Sequence, residues 1–267
     1  MTYASAFLST DESKDLLRAV RLARIDGELY TNQREKFQEV SAMVEQLTIV
    51  SQKITKRKTA TFLDCACGKS YTAFALNYVL TRRLYRSAYF IGVDQNPKLI
   101  CRCVEAQRLL GYENMEFHAA SIRDLVLDKK PDVTYCLHAC DTATDEAIAK
   151  GIASGSRFIV AVPCCQRELS HEMRHHPLAP MTQFPLIKER LSSLVTDTMR
   201  ALVLSAAGYK VEAFEFTSSR VTPKNLMLRA EKIWLENKTA LRQYWRLRDL
   251  FNIEPKIEEY LAWLHPC

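Results

Sequence analysis

The sequence predicts an α/β protein with a mostly parallel β-sheet and helices on both of its faces. From residue 59 onward, short apolar segments typical of buried strands alternate with longer segments whose apolar residues recur at helical spacing. One of these segments, residues 61–71 (TFLDCACGKSY), passes from a strand through small residues into a helix. Polar or acidic residues follow several predicted strands, as they do where parallel sheets bind ligands.

The composition is that of an ordinary globular protein, with 48% hydrophobic and 25% charged residues among 267. No apolar run approaches the ~18 to 20 residues that span a bilayer. The first fifteen residues are acidic rather than basic and do not resemble a signal peptide. We therefore expect a cytoplasmic protein without membrane contact. Its oligomeric state is not predicted by the sequence.

The chain contains nine cysteines. An odd number in a chain without a secretory signal favours free thiols over disulfides. The sequence has no C-x-x-C pair, which is the usual mark of a structural zinc site, so we predict no metal ion.

Residues 1–57 are predicted to be a helical N-terminal extension. Apolar side chains recur at helical spacing over 10–52, with an interruption at Gly27. We assign no chemistry to this segment and expect it to pack on the core or to shape a substrate surface.

Residues 58–232 are predicted to form the main domain. Its predicted strands are 61–65, 88–94, 115–118, 132–137 and 157–162, followed by a final pair at 210–217 and 226–229. The predicted helices are 71–84, 97–111, 145–151 and 185–207. Pro97 suits a helix start, and Gly111 and Gly208 suit helix ends. Residues 233–267 are predicted to be a helical tail with an aromatic face.

The first predicted strand ends at Asp64 and runs into the small residues CACG. Small side chains let a ligand approach the backbone, and a helix start offers unpaired N–H groups. The spacing does not match the G-x-G-x-x-G dinucleotide fingerprint. It is more similar to the D/E-x-G-x-G-x-G loop of class I S-adenosylmethionine (SAM) methyltransferases, with Ala66 and Ser70 at the first and third glycine positions.

The next two strand ends also suit an adenosyl ligand. Asp94 ends the second strand, where a carboxylate can accept both ribose hydroxyls, although it can also cap the next helix. After the third strand, Ser121 can hydrogen-bond an adenine edge and Ile122 can pack on the ring. The sequence lacks a P-loop, which disfavours nucleoside triphosphates. These strand ends together predict SAM binding.

The fourth and fifth strands end in groups suited to chemistry on a methyl acceptor. His138 is a candidate base, and Asp141 can orient it or hold the acceptor. Cys164 and Cys165 leave three interpretations open: small residues beneath a ligand, a nucleophile, or half of a metal site that also uses His138, Cys140 or His171. Residues 166–185 are expected to be a lid or substrate-binding loop.

Several stretches together resemble class I SAM-dependent methyltransferase-like proteins related to the catalytic domain of the eukaryotic tRNA acceptor-stem 2′-O-methyltransferase. The stretches are KFQEV, DCACGKSYTAFAL, IGVDQNP, LHACDTATDEAIA, VPCCQREL, TDTMRALVLSAAGY and TPKNLMLRA, within about residues 35–232. The resemblance implies a seven-stranded Rossmann-like sheet, SAM as cofactor and RNA as acceptor for at least some members. Ala66 and Ser70 depart from the family's glycine loop, and we find no additional zinc-binding segments.

We therefore expect a SAM-dependent methyltransferase that acts on structured RNA, either tRNA or rRNA. The expected catalytic residues are His138, Asp141 and Cys164. The expected cofactor-binding residues are Asp64, Cys65, Ala66, Gly68, Tyr71, Asp94, Gln95, Ser121, Ile122 and His138. A small-molecule or protein methyltransferase, and a non-catalytic RNA-binding module with a degenerate SAM site, are the alternatives. The net charge of +6 and the basic stretch 53–58 are compatible with RNA binding.

Overall fold

A seven-stranded sheet organises the part of the chain that the structure describes, with strand order β3-β2-β1-β4-β5-β7-β6. The structure is a computed structural model that describes residues 8, 11–24, 26–140, 142–164, 167–173, 176–233 and 236–264. The strands are β1 Ala60–Cys65, β2 Ala88–Asp94, β3 Met115–Ala119, β4 Val133–Leu137, β5 Phe158–Val162, β6 Tyr209–Glu215 and β7 Leu226–Lys232.

Helices connect and cover these strands. The α-helices are α1 Lys14–Ala19, α2 Arg34–Gln52, α3 Tyr71–Asn77, α4 Pro97–Leu110, α5 Thr142–Ala153, α6 Arg167–Glu172, α7 Ala179–Thr182, α8 Pro185–Ala206, α9 Lys238–Phe251 and α10 Ile257–Tyr260. A π-helical segment, Tyr78–Arg83, continues α3. Among the described residues, no helix is both long enough and apolar enough to cross a membrane.

The sheet is parallel from β3 to β5, and β7 pairs antiparallel with both β5 and β6. Strands β1 to β5 therefore end at one edge, which we call the catalytic edge, and β6 ends there as well. The strand order reverses between β1 and β4, which is the switch point where such sheets bind ligands. The predicted mostly parallel seven-stranded fold is confirmed.

Alternation along the strands gives the sheet a hydrophobic cluster on each face. Phe62 and Phe90 stack with ring centroids 5.0 Å apart and belong to the cluster that contains residues of α2 and α3. Leu63 and Ile91 belong to the other cluster, with residues of α5, α8 and α9. Helices consequently cover both faces, as predicted.

The start of α4 corrects one alternative for Asp94, which is not the helix cap. Asn96 is the N-cap residue, and its side chain accepts a hydrogen bond from Lys98 N at 3.0 Å. Asp94 Oδ1 instead accepts from Asn96 N at 2.9 Å. The helix ends at Gly111, whose φ of +63° suits the predicted stop.

Both end segments share the hydrophobic clusters of the sheet. The N-terminal segment consists of α1, a short antiparallel bridge between Ala23 and Leu29, and α2. Met43 and Leu47 of α2 are fully buried in the first cluster. Tyr244 of α9 is fully buried in the second. These contacts fix the ends of the chain on the sheet.

Candidate active site

Five adjacent strands place the predicted site residues along the catalytic edge. In spatial order from β3 to β5 these are Ser121 and Ile122, Asp94, Asp64, His138, and Cys164. Asp141 and Cys165 lie outside the described residues, and so does the side chain of His171.

The backbone of the loop after β1 is in the left-handed conformation at three positions, two of which are not glycine. Ala66, Gly68 and Ser70 have φ angles of +54°, +57° and +51°. The left-handed conformation costs a residue with a side chain roughly 1–2 kcal/mol. A side chain at position 68 would meet no atom within 4 Å. Ala66 and Ser70 therefore adopt the left-handed conformation that glycine favours, and the backbone at Gly68 is open.

Asp64 lies beneath this loop and is only 4% exposed. Ser70 Oγ donates a hydrogen bond to Asp64 Oδ2 at 2.8 Å. Burial raises the pKa of Asp64 to about 7, and the hydrogen bond from Ser70 partly opposes that rise. Asp64 is consequently tied to the loop through Ser70.

Asp94 ties the end of β2 to the loop after β1. Its Oδ2 accepts a hydrogen bond from Gly68 N at 2.9 Å. The side chain is partly exposed, and each carboxylate oxygen retains a lone pair beyond its backbone partner. The adjacent Gln95 is exposed. This is a suitable position for accepting hydrogen bonds from ribose hydroxyls.

The remaining predicted cofactor-binding residues differ in access. Cys65 is fully buried, so its side chain is not available to a ligand and only its backbone can contribute. Burial also raises the pKa of its thiol. Ser121 Oγ donates to Asp124 Oδ2 at 2.6 Å and accepts from Asp124 N at 3.0 Å. Its hydroxyl is therefore already engaged in a local turn. Ile122 is 4% exposed, and Tyr71 is partly exposed beneath the Lys69 ammonium group.

His138 contacts a residue that the sequence analysis did not identify. Its Nε2 is paired with Glu39 Oε1 from α2, and Glu39 Oε2 accepts from Lys36 Nζ at 2.6 Å. The backbone of His138 has a φ of +59°, and its N–H donates to Val162 O at 3.0 Å. His138 Nδ1 is shielded from water and has no hydrogen-bond partner among the residues that the structure describes.

Glu39 is a buried carboxylate whose charge is matched locally. Its side chain is 8% exposed. Burial alone would raise the pKa of Glu39, but the hydrogen bonds from His138 and Lys36 outweigh it and the net pKa is lowered. One available signal in the sequence was an acidic residue inside the apolar stripe of a helix, because such a residue needs a buried partner.

Cys164 is 8% exposed, and its Sγ lies 3.3 Å from Cys140 Sγ on the adjoining strand end. Cys140 is exposed and also donates a weak hydrogen bond to His138 O. Within the described residues, no group of three or more His, Cys, Asp or Glu side chains is placed to hold a metal ion.

The basic stretch 53–58 does not lie near this site. Lys58 pairs with Asp132, which precedes β4, and Arg157, which precedes β5, donates to Lys53 O at 2.8 Å. The stretch is thus at the opposite edge of the sheet, where the strands begin. Arg86 is 6% exposed, and its guanidinium donates to the backbone carbonyls of Ser51 and Ile54.

Comparisons with known proteins bear on the family and the fold. The model of a methyltransferase-domain family matches residues 35–172, which begins inside α2 and so crosses the predicted boundary at residue 57. No curated protein matches the sequence.

Two solved structures illustrate the structural likeness. One is the magnesium protoporphyrin IX methyltransferase of Synechocystis PCC 6803 with bound SAH, at 14% identity and a TM-score of 0.50, covering 85% of this chain and 97% of that one. The other is an rRNA methylase from Streptococcus thermophilus, at 13% identity and a TM-score of 0.45, covering 72% of this chain and 96% of that one. At such identity, the first likeness supports the fold alone.

Proposed function

Because this chain belongs to the methyltransferase-domain family, whose cofactor is SAM, we propose that it transfers the methyl group of SAM to structured RNA, either tRNA or rRNA. The observation that carries the enzymatic part is the glycine-like loop after β1, tied to Asp94 through Gly68 N. The resemblance to the tRNA 2′-O-methyltransferase family supports the choice of RNA.

The described residues fit SAM at the catalytic edge. The open backbone at Gly68, with Ala66 beside it, would hold the methionine part, and Asp94 with Gln95 would hold the ribose. Ile122 would contact the adenine ring, with Ser121 contributing once its bonds to Asp124 rearrange. When bound, SAM supplies an electrophilic methyl group on a sulfonium.

The acceptor would lie beside β4 and β5. We assign His138 to removal of the acceptor proton and Cys164 to the wall of the acceptor pocket, because its thiol is nearly buried. Asp141, which lies outside the described residues, remains our candidate for holding the acceptor. Methyl transfer needs chiefly an aligned approach, so these side chains would act by orientation as much as by proton transfer.

Basic side chains at the catalytic edge support an RNA acceptor. Arg34 is exposed on α2, within about 8 Å of Glu39 along the helix axis. Arg220 and Lys224 are in the loop between β6 and β7, which is also at this edge. Such charges would neutralise phosphates around the site.

Charge reversal at each edge tests the RNA proposal. We expect the double variant Arg220→Glu with Lys224→Glu to lower RNA binding and methyl transfer from radiolabelled SAM about tenfold or more. Lys56→Glu with Arg57→Glu is the matched control, because both residues are exposed at the opposite edge. Equal effects of the two pairs, or transfer that does not weaken as salt rises, would contradict RNA as the acceptor.

A second candidate acceptor is a small molecule with an apolar body. Four apolar side chains that begin α8 or precede it are exposed: Met181, Phe184, Leu186 and Ile187. This cluster follows β5 in the chain and precedes the return to β6, so it lies towards the catalytic edge. Transfer to a small-molecule fraction but not to RNA would favour this candidate. Absence of SAM binding would favour a non-catalytic module.

A further inference from the structure

We propose that Glu39 is a positioning residue that orients the His138 imidazole to take a proton from the methyl acceptor. The N-terminal segment would then form part of the active site rather than an accessory to it. The proposal rests on the function proposed above for the proton-transfer step, but the contact itself can be tested without any acceptor.

The first argument is the division of the Glu39 carboxylate between two partners. Oε1 meets His138 Nε2, and Oε2 meets Lys36 Nζ one helical turn earlier. A carboxylate is a hydrogen-bond acceptor only, so the ring nitrogen that faces it carries the proton. Because both oxygens are held, the carboxylate has little freedom to rotate, and it fixes the tautomer and the plane of the imidazole.

The second argument is the conformation of His138 itself. A φ of +59° is a left-handed conformation that is unfavourable for a residue with a side chain. The bond from His138 N to Val162 O holds this backbone against β5. Strain of this kind persists where surrounding contacts enforce it, and here it turns the ring towards α2.

The third argument is the free nitrogen. His138 Nδ1 is shielded from water and accepts no hydrogen bond within the structure as described. Leaving a buried polar group unpaired is unfavourable. With the proton held on Nε2, Nδ1 carries a lone pair, which a donor group of the methyl acceptor would satisfy once the atoms that cover this nitrogen move aside.

These features together describe how the pair would move a proton. An acceptor group that carries a proton must lose it as it becomes methylated, and that proton would move from the acceptor atom to His138 Nδ1. The ring then carries a proton on each nitrogen, and the Glu39 carboxylate stabilises the resulting positive charge.

Glu39 could instead serve only to anchor α2 on the sheet, and two variants separate these roles. Glu39→Met keeps the size and removes both hydrogen bonds, while Glu39→Gln keeps an acceptor oxygen without the charge. Glu35→Gln is the matched control, because Glu35 is exposed in the first turn of the same helix. Thermal unfolding and calorimetric SAM binding of each variant establish that the fold and the cofactor site persist.

The decisive readout is the ¹⁵N spectrum of the histidine rings in the full-length protein, with His138→Asn to assign the signal among six histidines. We expect the wild type and Glu35→Gln to hold the Nε2–H tautomer, Glu39→Gln to keep it in part and Glu39→Met to lose the preference. A tautomer unchanged in Glu39→Met would overturn the proposal.

Kinetics provide the second readout. We expect Glu39→Met to lower kcat about tenfold or more without changing the KM for SAM, and Glu39→Gln to lose less. Adding Glu39→Met to His138→Asn should lower kcat little further, because Glu39 acts only through the ring that His138→Asn removes. Full activity in Glu39→Met would refute the positioning role. If the wild type methylates no RNA, the proposed RNA function fails, while the ring spectrum still decides this inference.

Discussion

Ser70 Oγ lies 2.8 Å from Asp64 Oδ2, so a serine in a left-handed backbone conformation holds the carboxyl group buried at the end of β1. The hydroxyl thus has a structural use that a glycine at this position could not supply. The backbone strain is the cost of that contact. Substitutions at position 70 can separate the two effects.

We expect Ser70→Ala to be less stable than Ser70→Gly. The alanine variant loses the hydrogen bond to a buried carboxyl and keeps the left-handed strain, for a loss of about 1–3 kcal/mol in the free energy of unfolding. Glycine loses the same bond but relieves the strain, which offsets part of the loss. Urea unfolding of both variants measures this. Equal losses would mean that the strain contributes little.

The raised pKa of Asp64 predicts a pH dependence of stability. Between about pH 4 and 7 the folded protein keeps a proton that the unfolded chain releases, since the folded pKa is about 7. This group therefore makes the free energy of unfolding fall as pH rises through that interval, by up to about 1.4 kcal/mol per unit, and become constant above it.

Asp64→Asn is the control, because asparagine does not titrate and should remove this slope. The measurement is urea unfolding of both proteins at several pH values from 5 to 8, with the wild-type minus variant difference as the result. A difference that does not change with pH would show that Asp64 is ionised in the folded protein throughout.

Asp94→Asn should weaken SAM binding by about ten- to a hundredfold, since hydrogen bonds to a charged carboxylate contribute about 1.5–3 kcal/mol each. Calorimetric titration with SAM is the measurement. Asp128→Asn is the control, because Asp128 is exposed after β3. Wild-type affinity in Asp94→Asn would place the ribose elsewhere, provided that the unfolding temperature is unchanged.

The sheet was predictable because each strand is a short apolar run with its own boundary signals. The loop after β1 was predictable for the same reason, as small residues lie between an apolar run and a helical pattern. Glu39 was not, because its contact with His138 joins residues that are 99 positions apart and depends on how α2 packs. The contact between Ser121 and Asp124 was within reach of sequence reasoning, because it is local and its spacing of three residues is that of a common turn.

The Cys140 and Cys164 thiols should form a disulfide when the protein is treated with the oxidant diamide. Their sulfur atoms are 3.3 Å apart, and Cys140 is exposed to reagents. Each thiol loses a hydrogen atom to diamide, which is reduced to the hydrazine. Peptide mass spectrometry should find the pair cross-linked, and Cys140→Ser should abolish that species. Cross-links that join other cysteines instead would contradict the predicted pairing.

Arg200→Met should destabilise the fold strongly. The Arg200 guanidinium, on α8, is 2% exposed. Its Nε and Nη2 each donate to the Asp145 carboxylate at 2.8 Å, and its Nη1 donates to Asp197 at 3.1 Å. Because the buried carboxylates hold this cation in place, its pKa is raised further above its ordinary value despite burial.

Removing the cation leaves two nearly buried carboxylates without their shared partner, and loss of one member of a buried pair costs about 3–5 kcal/mol. Urea unfolding measures this, with Arg190→Met, which alters an exposed arginine on the same helix, expected to change stability by less than about 0.5 kcal/mol. The triple variant Asp145→Asn, Asp197→Asn, Arg200→Met should recover part of the loss, because no unpaired charge remains. If the single variant were as stable as Arg190→Met, the charges of Asp145 and Asp197 would have to be neutralised by other groups.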